Sequence, residues 1–114
     1  MLNFRVRSAC GRTQEKWVRM IQSFSCKKTQ KLFEEGVCDK KFRSFKEQAE
    51  KRLNILHASV TLYDLMNLKS NRFEALGGNR EGQFSISINM QWRICFKWNE
   101  GEAGPSAVEM VDYH

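Results

Sequence analysis

From Gln83 to Asn89 every second residue is apolar (Phe84, Ile86, Ile88), and the same alternation returns from Trp92 to Trp98. A period of two sends successive side chains to opposite faces, so both stretches predict half-buried strands. Asn89-Met90-Gln91 between them suits a tight reversal. The pair is then an antiparallel hairpin with Phe84, Ile86, Ile88, Trp92, Ile94, Phe96 and Trp98 on its buried face. Ser85, Ser87, Arg93, Cys95 and Lys97 point the other way. Asn99 to Ser106, with Gly101, Gly104 and Pro105, reads as a second turn. A final strand, Ala107 to Val111, follows and is closed by Asp112-Tyr113-His114.

Upstream the period changes. Ser25 to Gly36 predicts a short helix with Ser25 as N-cap and Gly36 as its stop. A longer helix begins near Ser44, where Phe45, Ala49, Leu53 and Leu56 form one apolar stripe that covers a sheet. Leu62, Leu65, Met66 and Leu68 make an apolar connector, and His57, at the end of the preceding helix, is expected to be structural. Met20 to Phe24 alternates and predicts an N-terminal strand. The expected fold is α+β: an N-terminal strand and helices packed on one face of an antiparallel sheet whose other face is open. Residues 1–19 lack periodicity and are expected to be a basic extension outside a domain of residues 20–114.

A chain of 114 residues fits one domain. Lys and Arg outnumber Asp and Glu by 19 to 13, which favours a polyanionic partner, but Arg5, Arg7, Arg12, Lys16 and Arg19 supply most of the surplus. Cys10, Cys26, Cys38 and Cys95 lie far apart without a C-x-x-C pair, and there are two histidines, so neither a zinc site, a redox motif nor a cofactor is indicated. With no apolar leader and no stretch long enough to span a bilayer, a cytoplasmic protein with free thiols is expected.

Internal RNA cleavage needs a group to draw the proton from a ribose 2′-hydroxyl, a cation at the phosphate, and a donor for the departing 5′-oxygen. Arg93, in mid-strand on the polar face, offers paired donors and a permanent charge to phosphate, or else an ion pair to Glu109 across the sheet. His114, carrying a terminal carboxylate beside its imidazole, suits a general acid. Tyr113 suits stacking on a base or donation to phosphate, and Asp112 suits orienting a neighbour. Strict alternation sets Asp112 and His114 on the face opposite Tyr113, so a bulge or twist must unite them if all three act together. Arg72, Arg80 and Lys97 are candidate contacts to the RNA backbone.

Gly78-Asn79-Arg80-Glu81-Gly82 with Phe84-Ser85-Ile86, then Asn89-Met90-Gln91-Trp92-Arg93-Ile94-Cys95-Phe96, then Val111-Asp112-Tyr113-His114 closely resemble the HigB toxins of the RelE-like superfamily. The likeness runs from about Met20 to His114. It implies a RelE-like microbial RNase fold, ribosome-dependent mRNA cleavage without metal, and a HigA-like antitoxin with a helix-turn-helix domain, through which alone operator DNA is reached. By position it implies that Arg93 stabilises the phosphate, that Asp112, Tyr113 and His114 form the catalytic group, and that Arg80 contacts RNA. The chain departs from the pattern at Gly77, where a basic residue is usual, and at Glu74, where histidine is usual. Either Arg72 and Arg80 compensate or the nuclease is slow. Competing expectations are a non-catalytic RNA- or partner-binding module and a ParE-type gyrase poison.

Overall fold

The computed structural model describes residues 20–113; the basic extension 1–19 and His114 lie outside the described residues. Helix α1 is Lys27–Glu35. Gly36 ends it with φ 72°, a left-handed conformation that costs a residue without Cβ little, and its N–H returns to the Leu32 carbonyl at 3.1 Å. The N-cap is Cys26 rather than Ser25, because the Ser25 hydroxyl donates to the Ala107 carbonyl at 3.1 Å. A 3-10 segment, Lys40–Phe45, leads straight into α2, Lys46–Ala58, which therefore begins two residues later than the apolar spacing suggested. Its stripe of Ala49, Leu53 and Leu56 is buried as expected. The expected connector is in fact helix α3, Leu62–Asn67, opened by a reciprocal capping box between Thr61 and Asp64.

The sheet contains β1 (Glu74–Ala75), β2 (Gln83–Ser87), β3 (Trp92–Lys97) and β4 (Ser106–Asp112), in the order β1-β2-β3-β4 with every neighbouring pair antiparallel. Ile86, Ile94, Phe96 and Val108 meet Leu32, Leu53, Leu56 and Leu65 in the core between sheet and helices. A buried Thr29 hydroxyl accepts from the Met110 N–H at 3.1 Å and docks α1 on β4. Strand β1, only two residues long, has no periodic signal and escaped the alternation pattern.

The expected N-terminal strand is reduced to one parallel bridge, Phe24 to Val108. Four bonds nevertheless hold this segment along β4: Gln22 N–H to Pro105 (2.7 Å), Val108 N–H to Ser23 (3.1 Å), Ser25 N–H to Val108 (3.0 Å) and Ala107 N–H to the Ser23 hydroxyl (2.9 Å). An otherwise open sheet edge is covered in this way. Ala107 sits at φ 52° where β4 carries one extra residue against β3: Cys95 faces Glu109 but Lys97 faces Ser106. A Cβ on Gly104 would lie 2.0 Å from the Met20 carbonyl oxygen, so the close pass of the two segments requires glycine there.

His57 completes the attachment. Its Nδ1 accepts the Ile21 N–H at 3.2 Å, and its ring lies 5.0 Å from that of Phe33. Burial lowers its pKa, so the folded protein holds a neutral ring while the unfolded chain takes up a proton at the ordinary imidazole pKa. The unfolded state then binds more protons, and stability is expected to fall as pH drops from about 7 to about 5. Thermal melts across that window should show the decline, and His57→Gln should flatten it. An equal decline in His57→Gln would assign the effect to other groups.

Candidate active site

Strand register lines up Glu74, Ser85, Cys95 and Glu109 across all four strands on the face away from the helices. Ser85 and Cys95 are nonetheless fully buried. Long side chains roof them over, so the face expected to be open is a layered polar surface. Arg93, one row along, has a side chain only 12% exposed. Its Nε donates to the Ser85 hydroxyl at 2.8 Å and its Nη2 to the Arg72 carbonyl, with Glu74 Oε1 3.8 Å from Nη2. Two of its nitrogens are thus held by the protein, which fixes the guanidinium plane over the middle of the sheet.

The Arg72 carbonyl is itself positioned. Arg72 adopts φ 47°, and the preceding Asn71, fully buried, donates to the Leu65 carbonyl at 3.0 Å and accepts from Arg52 at 2.7 Å. The Arg72 side chain is exposed, so what this residue gives Arg93 is backbone.

The alternative reading of Arg93, an ion pair to Glu109, is not what forms. Glu109 binds Arg80 instead, Nη1 to Oε2 at 2.9 Å, and Arg80 also donates to Gln83 Oε1 at 3.0 Å. Register explains the change: Glu109 lies opposite Cys95, one row from Arg93, while Arg80 enters from a 3-10 turn, Gly78–Arg80, just before β2. The hydrogen bond to Glu109 strengthens the hold of Arg80 on its proton.

Tyr113 approaches from the β4 side. Its N–H donates to the Gln91 carbonyl at 2.6 Å, and its ring centroid lies 6.0 Å from the Arg93 guanidinium carbon. The hydroxyl neighbours the Cys95 thiol. Burial first, and then the neighbouring Cys95, raise the Tyr113 pKa, which keeps the phenol a proton donor at neutral pH. Asp112 goes the other way. It pairs with Trp92, whose ring packs on Phe42 and Phe45 in the helix layer, and both its oxygens accept from Gln91 Nε2 at 3.1 Å. Lys97 is exposed at the far end of β3, opposite Gln83 and Ser106.

Arg93, Tyr113 and Arg80 therefore share one surface, Asp112 lies on the opposite face, and His114 is outside the described residues. Ser85 and Glu109 belong to the same surface, on the side the alternation assigns them, and Glu74 joins them there without having been placed on it from the sequence. Its side of the sheet becomes legible once the register is known. Among the described residues no group of three or more His, Cys, Asp or Glu is placed to hold a metal ion, and no helix is long and apolar enough to cross a membrane.

Comparison with known proteins supplies an independent line. Residues 22–114 match the family described as RelE-like toxin of type II toxin-antitoxin system HigB. Endoribonuclease HigB of Proteus vulgaris is 32% identical over 95 residues, which cover 83% of this chain and 100% of that protein. Toxin HigB-1 of Vibrio cholerae serotype O1 is 35% identical over 88 residues, covering 74% and 90%. Among solved structures, the YoeB-YefM complex from Staphylococcus aureus aligns with a TM-score of 0.48 at 19% identity, over 82% of this chain and 94% of that one.

Proposed function

Since the chain belongs to the RelE-like HigB family of type II toxin-antitoxin toxins, we propose that it is an endoribonuclease that cleaves mRNA on the ribosome and so stops translation. The observation that carries this reading is the anchored Arg93, with Tyr113 on one side of it and Arg80 one row away on the same surface. A guanidinium already fixed by Ser85 and Arg72 needs no rearrangement when charge builds on the phosphoryl oxygens, which is where preorganised donors lower a barrier most. Arg93 holds the scissile phosphate. Arg80, with Lys97 and Arg72 further out, takes neighbouring phosphates of the strand.

Cleavage proceeds by attack of the ribose 2′-oxygen on phosphorus and departure of the 5′-oxygen. The proton for that oxygen comes from the end of the domain: the Tyr113 phenol stands beside Arg93, and His114 follows it directly. Asp112, on the opposite face, acts by fixing Gln91, whose carbonyl holds the Tyr113 backbone, so it serves to position rather than to touch RNA. The partner is an antitoxin. A HigA-like helix-turn-helix protein would mask the basic surface and alone contact operator DNA, both acting in the cytoplasm.

The deciding experiment induces the protein and maps new mRNA 5′ ends, alongside cleavage of purified RNA with and without ribosomes. The expected result is cuts within translated reading frames, absent from naked RNA and suppressed by co-expression of the antitoxin. DNA damage without cuts would indicate a gyrase poison, and neither would indicate a binding module.

A further inference from the structure

We propose that Asn71 is a positioning residue for the cleavage: by fixing the backbone turn at Arg72 it holds the Arg93 guanidinium in the plane that receives the phosphate. The inference rests on the nuclease reading and places a determinant of its rate outside the surface that meets RNA. Asn71 is the one fully buried residue between Leu65 and Ser85, and its neighbours, residues 66–70 and 72, are all exposed. A buried amide must satisfy both of its ends. Asn71 does so from two helices: its Nδ2 donates to the Leu65 carbonyl of α3 at 3.0 Å, and its Oδ1 accepts from Arg52 Nη1 of α2 at 2.7 Å. Its backbone N–H donates to the Leu68 carbonyl at 2.9 Å. An otherwise exposed loop is therefore pinned to the helix layer at this residue.

What the pin controls is the next residue. Arg72 is left-handed, with φ 47° and ψ 53°, a conformation that a residue with a Cβ adopts at a cost, and its N–H donates to the Lys69 carbonyl at 3.1 Å. That turn aims the Arg72 carbonyl at Arg93 Nη2. In the extended conformation, which such a residue prefers, ψ would differ by roughly 80° and the carbonyl would point elsewhere. Arg93 would keep only the bond from Nε to Ser85 at 2.8 Å, about which the guanidinium can swing. The Glu74 carboxylate, 3.8 Å from Nη2, would then draw it away from the phosphate. Asn71 thus acts on Arg93 through Arg72 and touches none of the reacting atoms.

The test uses the full chain in single-turnover cleavage of mRNA on ribosomes, with thermal melts to confirm that each variant is folded. Asn71→Ala is expected to cleave about ten- to a hundredfold more slowly than wild type with ribosome binding unchanged, the usual result of a small misplacement at the reacting centre. In an Arg93→Ala background the same substitution should cost less than about twofold, because its effect passes through the missing guanidinium. A second pair leaves the buried amide intact and decides the matter if Asn71→Ala does not fold. Arg72→Gly and Arg72→Val both lose the exposed side chain, but valine resists the left-handed turn, so Arg72→Val should be slower by about fivefold or more. A third measurement needs no RNA. With Nε and Nη2 both bound, rotation of the Arg93 guanidinium is slow and its Nη groups give separate NMR signals, which Asn71→Ala should merge. Wild-type cleavage by folded Asn71→Ala, an equal loss with and without Arg93, an Arg72→Val as fast as Arg72→Gly, or signals that stay separate would each overturn the assignment. If the wild type cuts no mRNA, the nuclease reading fails, and the NMR comparison still decides whether Asn71 holds Arg93.

Discussion

Arg93→Ala is expected to slow mRNA cleavage by about a hundred- to a thousandfold, the usual cost of removing a preorganised donor from a developing oxyanion. The fold should survive. Truncation uncovers the buried Ser85 hydroxyl and leaves it and the Arg72 carbonyl without their partner, at a cost of about 1–3 kcal/mol. That is a fraction of the roughly 5–15 kcal/mol typical of a domain. Arg93→Lys restores part of the cover but little of the rate, because one ammonium cannot bond Ser85 and Arg72 while also presenting paired donors to phosphate. Cleavage assays paired with thermal melts on the same preparations check both claims. Wild-type cleavage by a folded Arg93→Ala protein would end the phosphate role.

Phe42→Ala carries the largest expected effect on stability. Phe42 is 1% exposed and meets Trp92 edge-on at 5.5 Å, while Phe45 lies 6.0 Å from Phe42 and 5.2 Å from Trp92. Removing a buried phenyl from such a cluster costs about 3–5 kcal/mol in lost transfer energy and cavity. For a domain of this size the melting temperature should drop by roughly 15 °C or more. Trp92 immediately precedes Arg93, so the surviving folded fraction should also cleave more slowly. A drop of less than about 5 °C would mean that the site collapses around the cavity and that the cluster is dispensable.

What could be read in the sequence follows from how local each signal is. The β2–β3 hairpin was legible because alternation is a property of seven neighbouring residues, and that same alternation put Arg93 and Cys95 on the face away from the helices. It also separated Asp112 from Tyr113, as the pairing of Asp112 with Trp92 bears out. Strand β1 was not legible, since two residues have no period and its pairing with Ser85 depends on a loop returning to the sheet. Partner choice was the other loss. Facing side alone allows Glu109 to meet Arg93, but the choice of Arg80 is made by a single row of register that only the folded sheet defines. The capping box Thr61 to Asp64 is a local signal that the sequence carries, but the apolar spacing around Leu65 is too short to declare a helix by its period.

The bond between Ser23 and Ala107 joins residues 84 positions apart, and the one from Ser25 to the same residue spans 82. Closing so long a loop costs entropy before any contact rewards it, and chains dominated by such distant pairings fold slowly. The covering of the outer edge of β4 is therefore the slow contact to form, whereas β4 meets β3 across a short turn and carries Tyr113 to the Gln91 carbonyl without it. Until residues 22–25 are seated, the outer edge of β4 stays open to pairing with any other strand.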